Sequence, residues 1–105
     1  MKFLRVSIFT RMDRNEAIAK VNEVIGECGG WIVNHALFSN LMITINFELP
    51  SDQAVSFIEN LDHMKLSPEV EYGMPEVKEE DLRGQIMVSF IHNDPDLKRD
   101  VPAFG

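Results

Sequence analysis

The sequence predicts one α+β domain, with two helices packed on one face of a four-stranded antiparallel sheet. Its length of 105 residues fits a single domain. Four segments place apolar side chains at every second position, as strands do, and two segments show the helical spacing. The elements follow the order strand, helix, strand, strand, helix, strand, which is the split βαβ or ferredoxin-like pattern. We expect the domain to cover residues 1–93 and an irregular tail to cover 94–105.

The first strand and the first helix are indicated by local patterns near the N-terminus. Residues 3–9 alternate around Leu4, Val6 and Ile8, which is typical of a strand. Asp13 can cap a helix, and the apolar positions that follow it recur with helical spacing as far as Cys28. Glycine adopts the left-handed conformation cheaply, so the pair Gly29-Gly30 should end this helix.

The middle of the chain predicts a hairpin and a second helix. Residues 31–38 and 41–49 are strand-like, and Ser39-Asn40 between them suits a tight turn. Ser51 is a suitable N-cap for a helix that starts there. The predicted apolar stripe of that helix consists of Ala54, Ile58 and Leu61, with Phe57 beside it.

The last third of the chain is less regular. Residues 64–83 contain two prolines and many charged side chains, and their role as lid, arm or surface loop stays open. Within them we expect a short strand at 70–72 and one helical turn at 79–82. Residues 84–92 alternate clearly and form the predicted last strand.

Charge and composition exclude several function classes. The net charge is −7 and falls mostly in the second half of the chain, and a negative surface repels nucleic acid. No apolar run reaches the ~18–20 residues that a membrane span needs. One cysteine cannot form an internal disulfide, and the N-terminus does not resemble a signal peptide, so we expect a cytoplasmic protein. No cofactor, metal or catalytic motif stands out.

The predicted hairpin register divides its residues between two faces of the sheet. Helix-facing positions would be Ile32, Asn34, Ala36 and Phe38 on one strand, with Leu41, Ile43, Ile45 and Phe47 on the other. The uncovered face would carry Trp31, Val33, His35 and Leu37 beside Met42, Thr44, Asn46 and Glu48. The predicted interface residues on it are Trp31, Val33, His35, Leu37 and Met42. A large apolar patch indicates an interaction surface, so we expect a homodimer through this sheet face. The alternative is that residues 64–83 or the C-terminal tail covers it.

A candidate ligand site lies between the first strand and the first helix. It comprises Arg11, Asp13, Arg14 and Asn15. A helix N-terminus offers N–H groups and positive partial charge, and two arginines could complete a pocket for a carboxylate or phosphate. The alternative is that Asp13 only caps the helix while both arginines lie in solvent.

A second candidate follows the last strand at residues 92–96, His-Asn-Asp-Pro-Asp. One imidazole and two carboxylates could bind a divalent cation, but the spacing matches no zinc or calcium loop. A polar turn is the simpler interpretation. Cys28 lies on the apolar stripe of the first helix, where free cysteines are usually buried and inert.

The segment Gly29-Gly30-Trp31-Ile32-Val33 and the strand 41–49 ending at Pro50, together with the order of elements, resemble the ACT-type regulatory domain. The resemblance covers residues 3–63 and, more loosely, 84–92. It implies a dimeric sensor of a small ligand, often an amino acid, bound near the turn into the first helix. Residues 11–15 occupy that position, although this chain lacks the Asp-x-Pro-Gly turn of the family.

Three functions therefore remain open at this point. The first is a non-enzymatic, homodimeric, ACT-like binding or regulatory module for a small anionic metabolite or a protein partner. The second is a small dimeric ferredoxin-like enzyme with a cavity between sheet and helices. His35, His92 and Asp94 would then be its candidate proton-transfer groups. The third is a plain protein–protein interaction module that uses the sheet face or an edge strand.

Overall fold

The computed structural model describes residues 2–72 and 81–91. It confirms the α+β class and the two helices. The predicted domain boundary at residue 93 lies outside the described residues. The elements are β1 (Lys2–Thr10), α1 (Arg14–Glu27), β2 (Trp31–Ser39), β3 (Met42–Pro50), a 3₁₀ turn (Ser51–Gln53), α2 (Ala54–His63), β4 (Glu69–Tyr72) and β5 (Asp81–Phe90).

The strands form one five-stranded mixed sheet, so the predicted four-stranded antiparallel ferredoxin-like sheet is wrong. The strand order is β2-β3-β5-β1-β4. β5 runs parallel to β1 and antiparallel to β3, and β4 runs antiparallel to β1. The strand predicted at 70–72 is present as β4. The helical turn predicted at 79–82 is wrong for Asp81 and Leu82, which begin β5.

The composition of the two strands explains this order. β5 alternates buried residues with half-buried ones from Gly84 to Phe90, which suits a strand with a neighbour on each side. β4 has four residues, and two of them are Glu69 and Glu71. Short, charged strands are typical of sheet edges. β5 therefore lies between β1 and β3, and β4 takes the edge beside β1.

The hydrophobic core lies between the helices and one face of the sheet. Side chains at matching register positions of three neighbouring strands form its rows. These rows are Leu4, Gly84 and Phe47; Val6, Ile86 and Ile45; and Ile8, Val88 and Ile43. All of these apolar side chains are fully buried except that of Ile43, which is nearly fully buried. At about 1.5–3 kcal/mol for each large apolar side chain buried, this layer is the main source of stability.

Both helices end in the same hydrogen-bond arrangement, in which the residue after the C-cap is left-handed. After α1, Gly29 has φ 79°, and Gly30 N donates to Ile25 O at 2.9 Å. After α2, Lys65 has φ 67°, and Leu66 N donates to Leu61 O at 3.1 Å. This is the Schellman motif. The predicted glycine stop is confirmed, and α2 uses a lysine at the equivalent position.

The start and the buried face of α2 differ from the prediction. Ser51 does not cap the helix, because a 3₁₀ turn intervenes and the N-cap position belongs to Gln53. Phe57 is fully buried at the centre of the stripe, while Ile58 is only partly buried beside it. The rings of Phe47 and Phe57 lie 5.0 Å apart between centroids and are tilted by 40°. This pair joins α2 to the sheet.

The hairpin has a different register from the predicted one. The tight turn is at residues 40–41, because Ser39 pairs with Met42. Two irregularities, at Val33 and Phe38, each add a residue to β2. Beyond the first of them, His35 pairs with Ile45 and Leu37 pairs with Ile43. His35 and Leu37 therefore lie on the face of the sheet that the helices cover. The predicted faces were therefore wrong for Asn34, His35, Ala36 and Leu37, since one extra residue reverses the alternation.

Candidate functional site

A cleft lies where the carboxyl ends of β1 and β5 meet the start of α1. The two strands are parallel neighbours, so they end at the same edge of the sheet. Ile91 N donates to Thr10 O at 2.8 Å and holds the two ends together. Ligands of sheets with parallel strands commonly bind outside such carboxyl ends. The β2–β3 turn borders the same space.

The cleft has a volume of about 520 Å³. This lies within the range of roughly 300–1,000 Å³ that small-molecule sites occupy. The described residues that line it are Arg11, Met12, Asp13, Arg14, Asn40, Phe90 and Ile91. The lining thus combines apolar and charged side chains, which suits a ligand that has both an apolar part and a charged group.

Local hydrogen bonds shape the segment that leads into α1. The hydroxyl of Thr10 accepts a bond from Met12 N at 3.0 Å. The carboxylate of Asp13 accepts bonds from Asn15 N at 3.1 Å and Glu16 N at 3.2 Å. The predicted N-cap is therefore confirmed. Because Asp13 takes two of the first N–H groups of the helix, an incoming anion would depend on side chains rather than on these amides.

The described lining of the cleft contains two basic side chains and one acidic one. These are the guanidinium groups of Arg11 and Arg14 and the carboxylate of Asp13. Arg14 is half-buried and Arg11 is exposed. Guanidinium groups are well suited to carboxylates and phosphates.

The structure brings together three of the four predicted ligand-site residues. Arg11, Asp13 and Arg14 line the cleft, whereas Asn15 is exposed on α1 and does not line it. Sequence reasoning missed Asn40, Phe90 and Ile91. Asn40 and Phe90 reach the cleft through the sheet topology, and the sequence contains no local signal for that.

The predicted interface residues are spread over β2 and β3 and do not share one face. Trp31 pairs with Glu48 and Met42 with Ser39 on the uncovered face. Val33 lies at the irregularity, and His35 and Leu37 lie on the helix side of the edge strand, where they are exposed.

The uncovered face carries a row of hydrogen-bonded amides across its centre. Asn46 Nδ2 donates to Asn34 Oδ1 at 2.7 Å, and Gln85 Nε2 donates to Asn46 Oδ1 at 3.2 Å. Beside this row, Arg83 and Glu48 form an ion pair at 3.4 Å. The face is therefore more polar than the sequence predicted, because the bulge moves Asn34 onto it.

The remaining candidate groups give no further site within 2–72 and 81–91. No cluster of three or more histidine, cysteine or acidic side chains suited to a metal occurs in these ranges. The candidate at residues 92–96 lies outside them. Cys28 is buried, and burial is the main reason that the pKa of its thiol is raised; the Asn60 amide acts in the opposite direction. A protonated, buried thiol is a poor nucleophile.

A scan against protein-family models and searches of curated proteins and solved structures found no match. The ACT-type resemblance therefore stays a prediction. Among the described residues, no helix is long and apolar enough to cross a membrane.

Proposed function

We propose that this chain is a non-enzymatic binding module that holds a small organic anion in the cleft at the start of α1. The observation that carries the proposal is the presence of two guanidinium groups, those of Arg11 and Arg14, in the lining of one cleft. Guanidinium groups bind carboxylates and phosphates through paired, charge-assisted hydrogen bonds. The ACT-type resemblance supports the same position, because it implies a ligand at the turn into the first helix.

The apolar part of the lining narrows the class of ligand. Met12, Phe90 and Ile91 add apolar surface to the lining, and Asn40 adds one amide from the hairpin turn. A carboxylate with an apolar chain, such as a hydrophobic amino acid or a short fatty acid, would suit both kinds of side chain. The apolar contact would supply affinity, and the arginines would orient the carboxylate.

A binding role suits this lining better than catalysis. The described part of the lining contains no histidine, cysteine, serine or threonine. Its one carboxylate, Asp13, is already engaged as the helix cap. The enzyme alternative needs a cavity between sheet and helices, where the described side chains form one packed core. His35 lies at the exposed sheet edge, and His92 and Asp94 lie outside the described residues.

Thermal-shift screening tests the proposal with hydrophobic amino acids, short fatty acids and inorganic phosphate as probes. A ligand at ten times its Kd stabilises the folded state by about 1.4 kcal/mol, which corresponds to a rise in Tm of about 7 °C. Arg14→Gln should weaken binding at least about tenfold, because it removes a charge-assisted interaction.

Arg5→Gln is the matched control, since Arg5 is an exposed arginine on the uncovered face of β1. It should leave the ligand-induced shift unchanged. The proposal fails if no probe raises Tm. It also fails if the Arg14 and Arg5 variants respond to the ligand alike, since the cleft would then not be the site.

The predicted homodimer through the sheet face and the predicted cytoplasmic location stay predictions. The amide row and the ion pair interrupt the apolar surface of that face. The exposed apolar side chains concentrate instead on the edge strand β2. This distribution favours self-association through the edge strand β2 over self-association through the face of the sheet.

A further inference from the structure

β2 is an edge strand with little of the protection that sheet edges usually have. It is nine residues long and contains no lysine, arginine, aspartate, glutamate or proline. The opposite edge strand, β4, has four residues and two glutamates. Short length, charge and bulges are the usual means of preventing edge pairing, and β2 has only the two bulges, at Val33 and Phe38. Among the described residues, β4 thus protects one edge by length and charge, and no strand pairs with the outer side of β2.

The exposed apolar side chains gather at the same edge. Nine large hydrophobic side chains are exposed among the described residues, and five of them lie on β2 or in the turn after it. These five are between 48% and 66% exposed: Trp31, Val33, Leu37, Phe38 and Leu41. A cluster of this kind marks an interaction surface. An added strand would satisfy the backbone of β2 and cover these side chains together.

We infer that β2 pairs antiparallel with β2 of a second copy of this chain, so that two five-stranded sheets become one ten-stranded sheet. β2 has no formally charged residue on a chain of net charge −7. Two copies can therefore meet along this strand without bringing like charges together. The glutamates of β4 disfavour pairing at the other edge, so the assembly closes at two copies rather than growing into a fibre.

The alternation of faces along β2 selects a register for this pairing. A two-fold axis perpendicular to the sheet requires each residue to meet one on the same face. The register that pairs the whole strand sets His35 against His35 of the second copy. Asn34 then meets Ala36, and Trp31 meets Ser39. The pairing with β3 places both members of each of these pairs on the same face.

The proposed interface between the two β2 strands is large enough for a dimer. A nine-residue strand is about 30 Å long, and pairing two such strands forms roughly six to eight backbone hydrogen bonds. Specific interfaces carry about ten. Trp31 of the second copy would lie beside Ser39, one residue from Asn40, which lines the cleft. The inference does not depend on the cleft binding a ligand.

Sedimentation velocity of wild type and His35 variants tests the inference. Wild type should form, at micromolar concentration, a species of about twice the 12.0 kDa mass of the chain. H35E and H35K each place two like charges across the axis, and each should raise the dimer Kd by about tenfold or more. An equimolar mixture of H35E and H35K pairs opposite charges, so it should dimerise as well as wild type or better.

H63E and H63K are the matched controls, because His63 is an exposed histidine at the end of α2. Both should dimerise like wild type. Circular dichroism would establish that every variant is folded. A monomeric wild type up to millimolar concentration would overturn the inference, and so would assemblies larger than a dimer. Failure of the H35E and H35K mixture to recover the dimer would show that the axis does not pass through His35.

Discussion

Replacing Gly84 by alanine tests the packing between the sheet and α2. Gly84 lies on the core face of β5 directly opposite Phe47 of β3. A Cβ built at Gly84 would lie 2.6 Å from Cε1 and 2.7 Å from Cε2 of the Phe47 ring, and closer still to Cζ. Ordinary contacts between carbon atoms are ~3.5–4.0 Å. The ring would therefore have to move by about 1 Å.

The structure leaves little room for that movement. Phe47 is fully buried, and its ring packs against that of Phe57. Overpacking of a dense core costs about 1–3 kcal/mol, while replacing a strand glycine by alanine returns about 0.5–1 kcal/mol of chain entropy. Because the ring has little room to move, the clash should reach the upper end of that range, about 3 kcal/mol, and Gly84→Ala should lower the free energy of unfolding by about 2 kcal/mol net. The corresponding fall in Tm is about 10 °C.

Urea denaturation of a double-mutant cycle measures this effect. Phe47→Leu removes the ring and should cost about 1–2 kcal/mol alone. If the clash is the cause, adding Gly84→Ala to that variant should cost little more, which gives a coupling energy of about 2 kcal/mol. Gly26→Ala is the control, since nothing lies within 4 Å of its added Cβ; an exposed helix position should gain about 0.5–1 kcal/mol. Additive costs at Gly84 and Phe47 would refute the reasoning.

Three other features provide tests by urea denaturation. Lys65→Gly relieves the strain of a left-handed lysine and should raise the free energy of unfolding by about 1 kcal/mol, whereas Gly29→Ala should lower it by about as much. If both substitutions changed the free energy of unfolding in the same direction, the shared Schellman motif would be contradicted. Thr44→Val removes a buried hydroxyl that has no partner among the described residues, and should stabilise by about 1 kcal/mol; a loss would show that the hydroxyl is bonded. The raised pKa of Cys28 predicts stability that falls as pH rises above the ordinary thiol value of 9.0, because the unfolded thiol ionises first. The Cys28→Ala variant should not show this fall in stability with pH. If the fall were unchanged in that variant, other titrating groups would be its cause.

Local elements were predictable because their signals lie within a few residues. The cap at Asp13, the glycine stop at Gly29 and the spacing of α1 each depend on contacts inside one segment. The predicted hairpin strands are also present. What failed was the face of the hairpin beyond Val33. A bulge is set by how two strands fit together, and the composition of β2, which is apolar on both faces, gives no sign of it.

The error in the strand order and the omissions in the candidate site have one physical cause. In the ferredoxin-like pattern the last strand runs antiparallel to the first, so its carboxyl end would lie at the far edge from Arg11. β5 instead runs parallel to β1. This brings Phe90 and Ile91 beside the start of α1, where residues 11–14 form the rest of that end of the cleft. Arg11, Asp13 and Arg14 could be predicted because they are close in sequence. Phe90 and Ile91 join them only because β5 lies between β1 and β3, and that position depends on which strand would lose more free energy at the edge of the sheet.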